Sequence, residues 1–128
     1  MNYCLINNVF PPILTGSSIF IFDLATELHK QGHNVVVITS KNEACNQDFE
    51  LHKNGFKLFR LNRIKLFRCS LWMKFPDFYF TLLPSNFKKI KKILIDNDID
   101  IIHQCNNIFD LVFASAYYSK KLKIPLIC

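Results

Sequence analysis

The chain has 128 residues, of which half are hydrophobic and a fifth are charged, and its formal net charge is +6. This length suits one domain, and the hydrophobic content excludes global disorder because it supplies enough side chains for a buried core. No apolar run reaches the roughly 20 residues that a membrane-spanning helix needs, and the N-terminus lacks the basic start and long apolar stretch of a signal peptide. We therefore predict a single cytoplasmic domain over residues 1–128.

The first forty residues predict a strand, a loop, a helix and a second strand. Residues 3–6 form a short apolar run typical of a buried strand, and the loop over residues 7–18 ends in hydroxyl residues that can cap a helix. A helix is predicted over residues 19–31 and is ended by Gly32. Residues 34–40 contain a β-branched run without polar alternation, which indicates a strand covered on both faces. The predicted core-facing residues of the helix are Phe20, Ile21, Leu24, Ala25 and Leu28.

The middle of the chain is less regular. Residues 41–54 are polar and predict a loop, whereas residues 56–61 alternate in part and predict a third strand nearer an edge of the sheet. Residues 64–84 are rich in aromatic side chains, and their two prolines, Pro76 and Pro84, delimit a possible further helix.

The last part of the chain returns to alternating helices and strands. Ser85 can cap a helix that runs to Asp96, and a strand is predicted over residues 98–103. A helix follows over residues 109–122, and a last strand begins at residue 124. The apolar face of the first helix comprises Phe87, Ile90, Ile93 and Leu94. The apolar face of the second comprises Phe109, Val112, Phe113 and Ala116.

This order of elements predicts an α/β fold that is Rossmann-like, with a mostly parallel sheet, flanking helices and right-handed crossovers. Ligands of such sheets bind at the carboxyl ends of the strands, near the point where the strand order reverses. In this chain that edge comprises the loop over residues 7–18, Ser40 with the loop after it, and residues 103–107. Candidate functional residues are therefore expected there.

The cysteines and histidines do not predict a disulfide framework or a metal site. The five cysteines include no CxxC pair, and an odd number in a chain without an export signal favours reduced thiols. His29 and His33 are four residues apart, but they lie across Gly32, where the helix should end. We expect neither a metal ion nor a cofactor.

The loop over residues 7–18 carries the main functional pattern. It lacks both the GxGxxG fingerprint of dinucleotide-binding domains and the Walker A motif, which argues against NAD and ATP. Its end, Gly16-Ser17-Ser18, meets a helix N-terminus, where free backbone N–H groups and the helix dipole favour an anion such as a diphosphate. The alternative is that Ser17 or Ser18 only caps the helix, and the two roles are compatible.

Four segments together resemble the N-terminal part of glycosyltransferase family 4. The loop Phe10-Pro11-Pro12 followed by Gly16 is similar to the family's FPP…GG loop. Residues 24–39 are similar to the motif LAxxLxxxGHxVxVxT, residues 98–103 to PDVVHxH, and residues 114–127 to AxxxxxLxxIPxVxT. The resemblance covers nearly the whole chain and is weakest over residues 41–84.

The resemblance implies a GT-B fold, in which a nucleotide-sugar donor lies between two Rossmann-like domains. It implies an enzyme of the hexosyltransferase type that transfers the sugar to a glycan or lipid-linked acceptor, with retention of configuration and without a metal ion. By motif match, Gly16 and Ser17 approach the donor phosphates, and His103 is the first histidine of HxH. Two positions depart from the pattern: Ser17 replaces a glycine, and Cys105 replaces the second histidine.

The family's second domain carries most donor contacts, including a pair of glutamates, and no such segment follows Cys128. The resemblance therefore implies a truncated frame, a fragment or one half of a split enzyme. In each case the chain is expected to be inactive without a second domain, which a separate polypeptide would supply.

Positive charge is concentrated in one part of the chain. Ten of the 16 basic residues but only one of the ten acids lie within residues 57–92, interleaved with aromatic residues. No recognised nucleic-acid module accompanies the segment, so we do not predict nucleic-acid binding. Two interpretations remain, namely a core with a solvated lysine face, or contact with an anionic membrane, which would place the chain at the inner membrane face. The predicted membrane contacts are Arg63, Lys65, Arg68, Trp72 and Lys74. The alternative function is thus a non-catalytic module that binds membranes through residues 60–92.

Overall fold

The computed structural model describes residues 1–63, 80–81, 83–106 and 109–128. Within these residues the chain forms six strands and three helices. In chain order they are β1 (Asn2–Ile6), α1 (Gly16–Lys30), β2 (Asn34–Ser40), β3 (Phe49–Leu51), β4 (Lys57–Leu61), α2 (Pro84–Asp96), β5 (Ile101–Gln104), α3 (Phe109–Leu122) and β6 (Leu126–Ile127). The possible helix between Pro76 and Pro84 falls mostly on residues outside this description.

The strands form one sheet in the order β3-β4-β2-β1-β5-β6. All neighbouring strands are parallel except β3, which pairs antiparallel with β4 at one edge. Cys4, in the central strand β1, lies opposite Val36 of β2 on one side and Ile102 of β5 on the other. The predicted Rossmann-like α/β fold is confirmed, and its strand order reverses between β1 and β5.

A hydrophobic core lies on each face of the sheet. Alternate residues of β1 point to opposite faces, so Cys4 and Ile6 pack with α2 and α3 while Leu5 packs with α1. In β2 the run Val35 to Ile38 is buried throughout, which confirms the prediction of a strand covered on both faces. The sheet is therefore the middle layer of three, with α1 on one side and α2 and α3 on the other.

The helix α3 turns a different face to the sheet from the one predicted, whereas α1 departs from its predicted face at one residue. In α1 Ile21 and Ala25 are wholly buried, and Leu24 and Leu28 are partly buried against the same core, as predicted. Phe20, also predicted to face the core, is exposed. In α3 Val112 and Phe113 are exposed instead of buried. The buried residues of α3 are Asp110, Leu111, Ala114, Ser115 and Tyr118. Small residues such as Ala114 and Ser115 allow close approach to the sheet, so close packing overrides a choice of face based on the bulk of apolar side chains.

Several element boundaries also differ from prediction. Strand β3 forms within the predicted polar loop over residues 41–54, and α1 begins three residues earlier than expected. Ser85 does not cap α2, because the helix starts at Pro84 after Leu83, which makes no side-chain capping bond. Strand β5 starts at Ile101, since Asp98 adopts φ 47° in the turn that ends α2. Gly32 has φ 86° after α1, as predicted.

Gly55 and Gly32 give a matched pair for testing the packing of α1 on the sheet. Both have positive φ, 95° and 86°, but a Cβ on Gly55 would clash with Nε2 of His29, whereas one on Gly32 would meet nothing within 4 Å. We expect Gly32→Ala to lower the free energy of unfolding by about 1 kcal/mol, the cost of the left-handed backbone. Gly55→Ala should cost roughly 1 kcal/mol more, because the His29 ring must also move.

Urea denaturation measures both changes in the free energy of unfolding, provided that the dependence of this free energy on urea concentration is the same in the variants. The excess cost of Gly55→Ala should disappear when His29 is also replaced by alanine. An equal loss of stability for the two single variants would contradict the contact between Gly55 and the His29 ring.

Candidate functional site

The carboxyl edge of the sheet is held together by the buried residue Asn8. Its backbone carbonyl accepts a hydrogen bond from Oγ of Ser40 at 2.6 Å, and its Oδ1 accepts one from Nδ2 of Asn106 at 3.0 Å. The backbone carbonyl of Asn106 in turn accepts a bond from Nε2 of Gln104 at 2.7 Å. Asn8 therefore joins the ends of β1, β2 and β5. From the sequence Asn8 was predicted only as part of the loop over residues 7–18, although its position directly after a buried strand was an available signal.

Further buried polar side chains lie at the carboxyl ends of β1, β2 and β4, next to the loop over residues 7–18. The strand register places Thr39 beside Arg60, and Asn7 follows Ile6, whose partner is Ile38. Nδ2 of Asn7 donates to the carbonyl of Val9 at 2.8 Å. Oδ1 of Asn7 and Oγ1 of Thr39 are buried without a hydrogen-bond partner in the described part of the chain. The carboxyl edge of the sheet next to this loop is thus polar, although the strands themselves are mostly apolar.

The first turn of α1 is capped by Thr15, not by Ser17 or Ser18 alone. Oγ1 of Thr15 accepts a hydrogen bond from the backbone N–H of Ser18 at 3.1 Å, and the N–H of Thr15 donates to Oγ of Ser18 at 2.8 Å. This reciprocal pair is a capping box. Oγ of Ser17 lies 3.2 Å from Oγ1 of Thr15 at the mouth of the helix. The predicted capping role therefore belongs to Thr15 with Ser18 as its partner.

Capping leaves two backbone donors at the start of α1. The N–H of Ser18 is bonded to Thr15, and the N–H of Ile19 donates to the carbonyl of Thr15 at 3.0 Å. The N–H groups of Gly16 and Ser17 donate to no group within the described residues. Gly16 is exposed, and the positive end of the helix dipole lies at the same place. The two residues predicted to approach the donor phosphates are therefore the ones whose N–H groups remain available to an anion.

His103 and Cys105 lie on the face of β5 that points toward α1. The ring of Phe20, one turn after Gly16, meets the His103 ring edge-on with centroids 6.4 Å apart. Cys105 packs against the core on the α1 side, and its Sγ is 3.8 Å from the carbonyl of His103. The structure thus brings the end of β5 next to the first turns of α1. Phe20, predicted to lie in the core, is an exposed neighbour of the site.

Burial keeps both of these side chains uncharged near neutral pH. Desolvation lowers the pKa of the half-buried His103 below its ordinary value, and it raises the pKa of Cys105 to about 12. A neutral imidazole can donate one hydrogen bond and accept another, whereas a neutral thiol does both only weakly. The pair can therefore bind hydroxyl groups, mainly through His103, but cannot supply charge.

A cavity of about 650 Å³ opens at the carboxyl ends of β2 and β4. The described residues that line it are all polar, namely Lys41, Asn42, Glu43, Asn46, Asn62 and Arg63. Lys41 forms an ion pair with Asp48. Arg63, predicted as a membrane contact, is half-buried in this lining. The other four predicted membrane contacts, Lys65, Arg68, Trp72 and Lys74, lie outside the described residues. Amide, carboxylate and cationic groups together suit a ligand rich in hydroxyl groups.

Residues 1–63, 80–81, 83–106 and 109–128 contain no group of three or more His, Cys, Asp or Glu side chains that could hold a metal ion. In the same ranges, no helix combines the length and the apolar character needed to cross a bilayer.

Comparisons with known proteins bear on the family and on the fold. A sequence model of the family described as Glycosyltransferase Family 4 matches residues 14–128. The chain is similar in structure to sucrose-phosphate synthase from Thermosynechococcus elongatus, with 17% identity, a TM-score of 0.66, and coverage of 98% of this chain and 31% of that chain. A second structure of that synthase gives 17% identity, a TM-score of 0.60, and coverage of 98% and 60%. The chain thus spans less than two thirds of either structure. No curated protein matches it.

Proposed function

Because this chain belongs to glycosyltransferase family 4, we propose that it forms the N-terminal wall of a donor cleft in a retaining glycosyltransferase. The enzyme transfers a sugar from a nucleotide-sugar donor to a glycan or lipid-linked acceptor and needs no metal ion. Turnover requires a second Rossmann-like domain, which a separate polypeptide can supply. The structural likeness to part of a GT-B glycosyltransferase supports the proposal that this chain forms one of the two domains of the enzyme.

The observation that carries the proposal is the pair of N–H groups at Gly16 and Ser17 that donate to no group within residues 1–63, 80–81, 83–106 and 109–128. They lie at the N-terminus of a 15-residue helix, directly after the loop that leaves β1 at the reversal of the strand order. A diphosphate placed there accepts two charge-assisted hydrogen bonds and interacts favourably with the helix dipole. Ser17 in place of a glycine leaves this arrangement possible, since its side chain turns toward Thr15 and its N–H stays available.

We assign the sugar end of the donor to His103. Its neutral imidazole lies beside the first turns of α1 and can bind a sugar hydroxyl through one ring nitrogen. Cys105 contributes packing and a weak hydrogen bond instead of the second histidine. The cavity next to Arg63 is the proposed place of the acceptor, because the amide and charged groups of its described lining residues suit sugar hydroxyls.

Gly16→Pro gives a direct test of the donor contact. Proline is accepted at the first position of a helix, and Thr15 before it already has the extended backbone, φ −131° and ψ 163°, that a residue preceding proline favours. The substitution therefore removes one N–H with little effect on the fold. We expect roughly tenfold weaker binding of UDP-glucose or GDP-mannose, the loss of one charge-assisted hydrogen bond. Amide chemical-shift perturbation by NMR measures the affinity and should locate the shifts at Gly16, Ser17 and His103.

Gly16→Ala is the matched control, because it keeps the N–H and its Cβ meets nothing within 4 Å. This variant should bind like the unchanged chain. If both sugar nucleotides perturb only amides away from the start of α1, or if the proline and alanine variants bind equally well, the proposed donor contact is wrong.

A further inference from the structure

We propose that the exposed surface formed by α2 and α3 binds the surface of an anionic lipid bilayer. This α2–α3 surface consists of an apolar patch, Val112, Phe113 and Tyr117, and of the lysines around it, Lys88, Lys91 and Lys120. It lies on a face of the sheet and not at the carboxyl edge, so the inference is independent of the donor contact at Gly16.

The two helices pack side by side and present one continuous outer surface. The Phe87 ring of α2 lies 4.9 Å from the rings of both Tyr117 and Tyr118 of α3. The Tyr118 hydroxyl also donates a hydrogen bond to the carbonyl of Phe87 at 2.6 Å. Lys91 is one helical turn from Phe87, so its exposed side chain lies near the junction with α3.

The apolar part of the α2–α3 surface contains Val112 and Phe113, which were predicted to face the core, and Tyr117, which was not part of that prediction. Val112, Phe113 and Tyr117 are all exposed, and 66% of the Phe113 surface is accessible. Their spacing places them on one side of the helix with the exposed Ala116 among them. Contiguous exposed apolar side chains rimmed by polar residues mark an interaction surface, whereas isolated ones do not.

The charged part of the α2–α3 surface is strongly positive. Within the bounds of α2 and α3 there are six lysines, all exposed, and two aspartates. Asp110 is buried, so Asp96 is the only exposed carboxylate on these two helices. Lys121 lies over the Tyr117 ring at 5.1 Å from its centroid, which joins the charged and apolar parts.

This combination selects a lipid surface over other partners. Aromatic and aliphatic side chains flanked by lysines can insert at the boundary of head groups and acyl chains, where the lysines meet anionic head groups. A second copy of the chain in a two-fold contact would bring lysines against lysines. A nucleic acid would use the lysines but gain nothing from the exposed Val112 and Phe113.

Co-sedimentation with vesicles tests the inference. We expect the chain to bind phosphatidylcholine vesicles containing phosphatidylglycerol in preference to pure phosphatidylcholine vesicles, and to be released by high salt. Lys88→Gln with Lys91→Gln should weaken binding by roughly 10- to 30-fold, and Phe113→Ser by about tenfold. All three positions are exposed, so the variants should fold normally.

Matched controls exist elsewhere on the chain. Leu51 on β3 is as exposed as Phe113, at 66%, and Lys30 and Lys53 are exposed lysines outside the α2–α3 surface. Leu51→Ser, and Lys30→Gln with Lys53→Gln, should leave vesicle binding unchanged. Equal binding to both vesicle types, or equal losses in the control variants, would overturn the inference. So would a dimer in sedimentation that Phe113→Ser abolishes, because a second copy would then be the occupant.

Discussion

Replacing Asp110 by alanine is expected to lower the free energy of unfolding by about 3–5 kcal/mol. Asp110 is fully buried in the first turn of α3. Its Oδ2 accepts hydrogen bonds from the N–H groups of Phe80 and Thr81, at 3.0 and 3.1 Å, and from Oγ1 of Thr81 at 2.8 Å. Alanine would leave three buried donors without an acceptor, and each such donor costs roughly 1–3 kcal/mol.

The same carboxylate links the segment before α2 to the N-terminus of α3. Asn86 of α2 strengthens this link, since its Nδ2 donates to the carbonyl of Phe80 at 2.7 Å and to that of Asn62 at 2.6 Å. Asp110→Ala should therefore also loosen the packing of α2 beside α3. Hydrogen exchange of the α2 amides would report this as lower protection.

Chemical denaturation of two control variants shows whether the hydrogen bonds of Asp110 account for the loss of stability. Asp110→Asn keeps an acceptor oxygen but loses the charge, so it should cost about 1–2 kcal/mol. Asp96→Ala removes an exposed carboxylate and should change stability by less than about 0.5 kcal/mol. If Asp110→Ala costs no more than Asp96→Ala, the three hydrogen bonds contribute little to stability.

The second large effect concerns the ion pair between β3 and β4. Nη1 of Arg60 lies 2.8 Å from Oε2 of Glu50, and the side chains are 4% and 35% exposed. We expect Glu50→Ala to cost about 2–4 kcal/mol, because it leaves a buried guanidinium without a counter-ion. Arg60→Met should cost less, under about 1.5 kcal/mol, because it removes the buried charge and keeps most of the packing volume.

The order of these two effects is the test. Removing the more exposed partner should destabilise the chain more than removing the buried one, which is the reverse of what burial alone predicts. Urea denaturation of both variants and of the double variant, Glu50→Ala with Arg60→Met, gives the comparison. If Arg60→Met lowers the free energy of unfolding more than Glu50→Ala does, the packing of the aliphatic stem of Arg60 contributes more to stability than its ion pair with Glu50.

Much of the fold could be predicted because local patterns determine it. The apolar run of β2 and the bounds of α3 were correct, and Gly32 ends α1 as its position indicated. The face of α3 was wrong because that choice depends on how closely the helix approaches the sheet. Strand β3 was missed because three residues in a polar segment carry no periodicity, and its formation depends on the contact of Phe49 with Phe59 at 4.9 Å.

The candidate site was predictable only in part. The loop motif pointed to Gly16 and Ser17, and the strand motif to His103 and Cys105, and their roles stay predictions. Asn8 lies in the loop where functional residues were expected, but its role in joining three strands could not be predicted, since its partners come from the ends of two other strands. Likewise, the predicted capping by Ser17 or Ser18 was replaced by a Thr15 cap because the helix begins three residues earlier.

The central place of β1 has a consequence for how the chain folds during synthesis. One neighbour, β2, is paired through residues only 32 positions away, as between Asn2 and Asn34. On the other side Asn2 bonds to Asp100, 98 positions later. The unit β1–α1–β2 can therefore form early, but the edge of β1 that pairs with β5 cannot do so before β5 has left the ribosome. Until then that edge, which carries Cys4, Leu5 and Ile6, is unpaired, and this interval is when aggregation competes most with folding.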